Sequence, residues 1–312
     1  MKKEITVTTK RILIFIGITF FITYALEFGI LYPLSNKTGT DLTGTTTIIL
    51  QLATAGMMFL PSVGVLLTRL ITKEGFKDCW IKPNFKGHMK YYVMAWFLPA
   101  LCIVLGAVVY FLIFRKDFDS NLGYLDQLYQ AQNIKLAQSQ LFLVAISQIL
   151  SGIFISPILN IFTCFGEEWG WRGYLLPKMK EKLPIIPMLF VNGVIWGLWH
   201  APLTILGHNY GVGYQGYPFT GIFAMCCFCI VMGVFMTYIT LKTGSCLPAA
   251  IAHGSLNGLA AAGTLFLSVD ATVNPFLGPA PIGIIGGIFF LLLAVILSIR
   301  LAKEQKALTP EQ

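Results

Sequence analysis

The chain has 312 residues, 56% of them hydrophobic and 12% charged, with a formal net charge of +8. An ordinary soluble domain carries about 25% charged residues, and repeated apolar runs longer than about 18 residues exclude that class here. The positive charge lies at the ends of these runs, a pattern of membrane orientation that excludes a nucleic-acid groove binder.

The expected fold is all-α: a polytopic membrane helix bundle of about eight transmembrane helices, with both termini cytoplasmic. The spans fall at about 11–34, 46–71, 91–114, 140–166, 185–206, 219–241, 245–268 and 280–301. The first apolar run continues from Ile12 to about Leu34, too long for a signal-peptide core, so it is expected as a retained anchor helix. It carries a lone Glu27 near its outer end, which either pairs within the bundle or reaches the outer interface; the latter is the expectation. The fourth span is expected to continue as helix through the polar stretch to Lys178. Pro184 and Pro187 suit the start of the fifth.

The loops support this alternation. Lys2, Lys3, Lys10 and Arg11 precede the first span. Arg69, Lys73, Lys77, Lys82, Lys86 and Lys90 mark the next loop on that side. Lys178, Lys180 and Lys182, then Lys242, then Arg300, Lys303 and Lys306 mark the remaining cytoplasmic stretches. On the opposite side, residues 115–139 balance Arg115, Lys116 and Lys135 against Asp117, Asp119 and Asp126, the 209–218 loop has no charge, and the last loop has only Asp270. The basic 72–90 connection, with Trp80 and Phe85, reads either as an amphipathic segment at the headgroups or as a solvated loop. The Gly- and Tyr-rich 207–218 stretch is expected to form an exterior cap. No internal repeat is evident, which argues against an inverted-repeat transporter.

Seven cysteines offer no disulfide framework. Cys102, Cys164, Cys226, Cys227 and Cys229 sit in or beside apolar segments and read as small buried hydrophobes. Cys227 and Cys229 lack zinc-ribbon spacing.

Ionisable side chains inside lipid are costly and mark function. They concentrate in three places: Glu167, Glu168 and Arg172 at the end of span four, His200 in span five, and His253 with Asn257 in span seven. Glu168 and Arg172, four apart, share a helix face and suit an ion pair. Glu167 is rotated by about 100° from Glu168 and is free to point elsewhere. His253 and Asn257 also share a face. Singly, each cluster fits a structural ion pair or an interhelical contact; together, on three helices, they suggest a shared polar pocket. Glycine pairs spaced by four overlap each motif (Gly166 and Gly170, Gly193 and Gly197, Gly254 and Gly258), allowing close helix approach and suggesting that these three helices meet. A carboxylate and a histidine on one water form a general base, and a histidine with an amide can hold an oxyanion. Glu167, His200 and His253 would alternatively form a zinc site with an open water position, although no His-Glu-x-x-His motif is present. Ser255 and Ser245 have no evident base in the sequence.

The strings FGEEWGWRGYLLP, GLWHAP and AHGSLNG resemble, in order, the three signatures of the CAAX prenyl protease 2 and bacteriocin-processing (CPBP, or Abi) family of intramembrane endopeptidases. The resemblance covers roughly residues 140–302. Trp196 stands where the family has Phe, keeping an aromatic wall. The resemblance implies that Glu167 and His200 activate water, that His253 and Asn257 hold the oxyanion, and that Glu168 and Arg172 support them. It implies no obligatory cofactor, with zinc as the alternative, and a membrane-anchored peptide or protein substrate in the lipid bilayer, at the cell membrane. The expected organisation is a three-helix region over 1–139, a catalytic bundle over 140–302 and a cytoplasmic tail over 303–312. A non-catalytic membrane immunity or scaffold protein, and a transporter, are the alternatives from other classes.

Overall fold

The computed structural model describes residues 6–37 and 44–308. Lys2 and Lys3, and residues 309–312 of the expected tail, lie outside the described residues. Among those described, the secondary structure is helical, with one isolated bridge between Phe118 and Leu267. Four helical stretches are long and apolar enough to cross a membrane: Val7–Ser35, Gln51–Ile71, Met89–Ile113 and Phe219–Thr243. They match the first, second, third and sixth expected spans. Gln138–Phe154 and Ile185–Trp199 are apolar but shorter. The seventh expected span is the helix Leu247–Leu259, and the eighth begins at Ile288 rather than near 280. The chain is an integral, multi-pass membrane protein.

Prolines explain two of the shortened helices. Helix Gln138–Phe154 stops before Ser156–Leu159, in which Pro157 takes a first-turn position. Proline has no N–H to donate to the carbonyl four residues back. That carbonyl, of Ile153, instead accepts from Trp96 Nε1 at 2.8 Å. The expected single helix from 140 to Lys178 is therefore broken between Phe154 and Ile161, resuming as Ile161–Glu168, a wide-turn segment Trp169–Leu175 and Leu176–Lys180. The same logic governs Ile185–Trp199. Pro202 follows its end, and the carbonyl that Pro202 cannot serve, Leu198 O, accepts from Tyr24 Oη at 2.6 Å.

The chain divides into two compact units interleaved along the sequence, so that regions 1–139 and 140–302 each contribute to both. The first comprises residues 1–88, 162–250 and 297–312. In it, Val7–Leu26 packs on Leu60–Ile71, and Gly64 makes the approach feasible: a Cβ there would lie 2.0 Å from Thr19 Oγ1. Ile185–Trp199 runs along Phe219–Thr243, where Cβ atoms at Gly193 and Gly197 would come within 2.5 and 2.4 Å of the Ile230 and Cys226 backbone. The second unit comprises residues 89–161 and 251–296, with a core of Leu122, Leu125, Leu141, Ala145 and Leu265. In it, Ser255 Oγ donates to Trp96 O and Asn160 Nδ2 to Gly254 O.

Residues 72–88 of the 72–90 connection lie outside any helix and are pinned by hydrogen bonds. Arg69 Nη1 donates to Gly75 O at 2.6 Å and Lys77 O at 3.2 Å; Asn84 Nδ2 donates to Thr243 O, and Trp80 O accepts from Cys246 N. At its base, Glu74 accepts from Lys178 Nζ at 2.5 Å and Tyr174 Oη at 2.8 Å, with Arg11 Nε at 3.5 Å. Burial works to raise the Glu74 pKa, but the Lys178 and Tyr174 hydrogen bonds and the nearby cations outweigh it and hold the carboxyl below its usual 4.5. A depressed folded-state value contributes stability that is complete above the unfolded value and lost as pH falls through the folded one. Acidification below about pH 4.5 should thus loosen this clamp, and Glu74→Gln should flatten the acid limb of a stability-against-pH curve. An unchanged acid limb in the variant would refute that role.

In the 207–218 stretch, Tyr217 Oη donates to Ile205 O, and Tyr214 lies so close to Gly221 that a Cβ there would meet its Oη at 2.0 Å. None of the seven cysteines forms a disulfide; Cys227 is exposed, departing from the expected burial.

Candidate active site

The first motif obeys the helical phase read from the sequence. Arg172 Nη1 lies 3.1 Å from Glu168 Oε2, with both side chains fully buried. Glu167 stays beside that pair, with a carboxylate oxygen within 4.8 Å of one on Glu168, and its Oε1 accepts from Trp196 Nε1 at 2.5 Å. Arg172 Nε and Nη2 have no hydrogen-bond partner among the described residues, and the guanidinium instead sits over the Trp196 ring, 4.1 Å from its centroid. A weakly hydrated guanidinium is well suited to that aromatic face.

His200 is 8% exposed and occupies the proline-marked junction between Ile185–Trp199 and Ala201–Ile205. Its Nδ1 lies 2.9 Å from Trp196 O. A carbonyl oxygen only accepts, so Nδ1 carries the proton and donates, leaving Nε2 as the basic nitrogen. Trp196 therefore joins three partners: its indole N–H holds Glu167, its ring face takes Arg172, and its carbonyl sets the His200 tautomer. The sequence had marked it only as an aromatic wall. The readable signal was its spacing of four from His200, which places a carbonyl beneath the imidazole.

Cys229 Sγ lies 4.0 Å from His200 Nδ1. Since Nδ1 is committed as a donor to Trp196 O, it cannot take the thiol proton, and this pair is not a cysteine–histidine dyad. His253 is buried at 5% exposure, whereas Asn257, on the same helix, is exposed. Both belong to the second unit, and Glu167, Glu168, Arg172 and His200 to the first.

The three glycine pairs do mediate close packing, and the pair in the seventh expected span packs on the expected fourth span, 140–166. Gly166 and Gly170 face Phe59 and Pro61, Gly193 and Gly197 face Ile230 and Cys226, and Gly254 and Gly258 face Pro157 and Ser156. The first two pairs seat other elements, so only the Gly254 and Gly258 face joins two of the expected motif spans.

Glu27 is a second correction. It is fully buried rather than reaching an outer interface, and both carboxylate oxygens lack a hydrogen-bond partner among the described residues. It lies on the buried stripe Phe15, Thr19, Thr23, Glu27, Leu31, repeating every four residues. An unpartnered buried carboxyl destabilises a fold, by about 1–3 kcal/mol or more. Glu27→Met is expected to raise the thermal midpoint of the purified protein; a drop of several degrees would overturn this.

Residues 140–259 match the model of the type II CAAX prenyl endopeptidase Rce1-like family. Over 94 residues the chain is 29% identical to CAAX prenyl protease 2 of Methanococcus maripaludis, covering 29% of this chain and 34% of that protein. The chain thus spans about a third of the length of the curated relative that it matches. The resemblance carried by FGEEWGWRGYLLP, GLWHAP and AHGSLNG is borne out over residues 140–259, which are similar in sequence to the Rce1-like type II CAAX prenyl endopeptidases.

Proposed function

We propose that this chain is an intramembrane endopeptidase that hydrolyses peptide bonds of membrane-anchored substrates, prenylated CAAX-type proteins or bacteriocin-like peptides among them. The observation that carries the proposal is the convergence of Glu167 and His200 on Trp196, one through the indole N–H and the other through the carbonyl. The second Glu167 oxygen and His200 Nε2 are the atoms assigned to a shared water, which Glu167 deprotonates as it attacks the scissile carbonyl. His253 and Asn257 are assigned to the developing oxyanion, following the family resemblance. Glu168 and Arg172 fix the helix from which Glu167 projects. The catalytic region is assigned to 140–302, within an eight-span topology whose ends are both cytoplasmic.

A zinc reading shares much of this chemistry. A histidine whose Nδ1–H is held by a carbonyl presents Nε2 as ligating histidines do, so His200 and Glu167 suit a metal as well as a water. In that reading Glu167, His200 and His253 would hold the metal, which would lower the pKa of a bound water towards neutral pH. The metal-independent reading is the one preferred here, following the family resemblance.

The test is cleavage of membrane-anchored peptides by the purified protein in lipid, with products located by mass spectrometry, before and after verified metal depletion. Retained cleavage after depletion supports the glutamate mechanism. Loss restored by zinc overturns it in favour of the metal, and a biological activity unaffected by Glu167→Ala would identify a non-catalytic scaffold.

A further inference from the structure

His200 stands at a helix end broken by Pro202, the least constrained place in a helix for a side chain that must hold its geometry. Two consecutive residues of the first helix reach that end. Tyr24 Oη donates to Leu198 O at 2.6 Å, occupying the carbonyl that Pro202 leaves without its helical N–H. Thr23 Oγ1 accepts from Trp199 Nε1 at 2.8 Å. Thr23 is fully buried and Trp199 is 2% exposed, so water does not compete for this bond. The Trp199 ring packs edge-on against His200, with centroids 4.8 Å apart and an interplanar angle of 82°. On its other side Trp199 meets Trp171 at 5.8 Å, and Trp171 meets Phe15 of the first helix at 5.7 Å. The imidazole is therefore held from below by its own helix, through Trp196 O, and from the side by an indole whose orientation the first helix sets.

We propose that Thr23 and Tyr24 are positioning residues for His200, holding the broken helix end through Trp199 Nε1 and Leu198 O. The first helix, which contributes no catalytic motif, is in this account part of the machinery that fixes the base. The proposal concerns the catalytic step only insofar as His200 is the base assigned above; the packing it describes is observable without any activity.

The experiment pairs two readouts on Thr23→Val, Tyr24→Phe and Thr23→Ser. The first is peptide cleavage. Loss of one oriented hydrogen bond that acts on the chemical step is expected to lower kcat about tenfold with KM unchanged, and Thr23→Ser, which keeps the hydroxyl, should restore kcat to within about twofold. The second is the ring resonance of His200 in protein carrying 13C-labelled histidine. The chain has only four histidines, and the His200 signal is identified by its absence in His200→Gln. It is expected to move or broaden in Thr23→Val and Tyr24→Phe and to return in Thr23→Ser. Folded variants with both kcat and the His200 resonance unchanged would overturn the positioning role. A displaced resonance in a protein whose cleavage ignores His200→Gln would uphold the positioning and defeat the assignment of the base. Should Thr23→Val fail to fold, Trp199→Phe removes the donor of the same hydrogen bond while retaining a ring; an unmoved His200 signal there overturns the proposal equally.

Discussion

Glu167→Gln should abolish peptide hydrolysis, by at least about a thousandfold, while leaving the fold intact. General-base catalysis by a positioned side chain contributes about 10²–10⁴-fold, and an amide cannot accept the proton of the attacking water. The fold should survive because Gln keeps a carbonyl oxygen for the Trp196 indole N–H that now reaches Glu167 at 2.5 Å. Thermal unfolding and tryptophan fluorescence of the variant should match the parent protein. Normal turnover by this variant would reject Glu167 as the base. Misfolding would instead place it with the structural residues.

The largest effect on stability is expected one turn further along. Arg172→Met should cost about 3–5 kcal/mol, because it strips the guanidinium from a fully buried Glu168. The cost arises from the carboxylate left behind more than from the ion pair itself. The double variant Glu168→Gln with Arg172→Met should therefore recover much of the loss. Equilibrium unfolding in mild detergent measures both. An Arg172→Met penalty below about 1 kcal/mol, or a double variant worse than the single, would show that Glu168 does not depend on Arg172. Together these two substitutions separate neighbouring glutamates: one should lose activity with the fold kept, and the other depends on its cation for the fold.

The Glu168–Arg172 pair was legible in the sequence as a spacing of four, although a wide-turn segment begins at Trp169 directly after the first of them. The offset of about 100° between adjacent residues does not hold Glu167 apart, since its carboxylate stays within 4.8 Å of that of Glu168. Of what Trp196 does, only the carbonyl under the imidazole was legible, from the spacing of four. A cation over its ring and its indole N–H on a carboxylate depend on how two distant segments pack. Pro157 and Pro202 interrupt spans that were expected to run through them, and the donors that take the freed carbonyls, Trp96 and Tyr24, come from segments distant in sequence. Distance from a helix end suggested that Glu27 reaches an interface, whereas the facing of a residue is set by rotation. The four-residue repeat from Phe15 to Leu31 carried that information in plain view. The glycine pairs announced close approach without naming the neighbour, because a small face accepts whichever element the tertiary fold delivers.

The unit of catalysis proposed here is a carboxylate and an imidazole acting on a single water, and a double-mutant cycle reports on that coupling directly. Single-turnover cleavage should be measured for the parent protein, Glu167→Gln, His200→Gln and the combined variant. Groups that work as one unit lose nearly everything at the first substitution, so the combined variant should be no slower than the slower single one. Losses that multiply across the cycle would mean that Glu167 and His200 act at separate steps, and the mechanism would have to be abandoned.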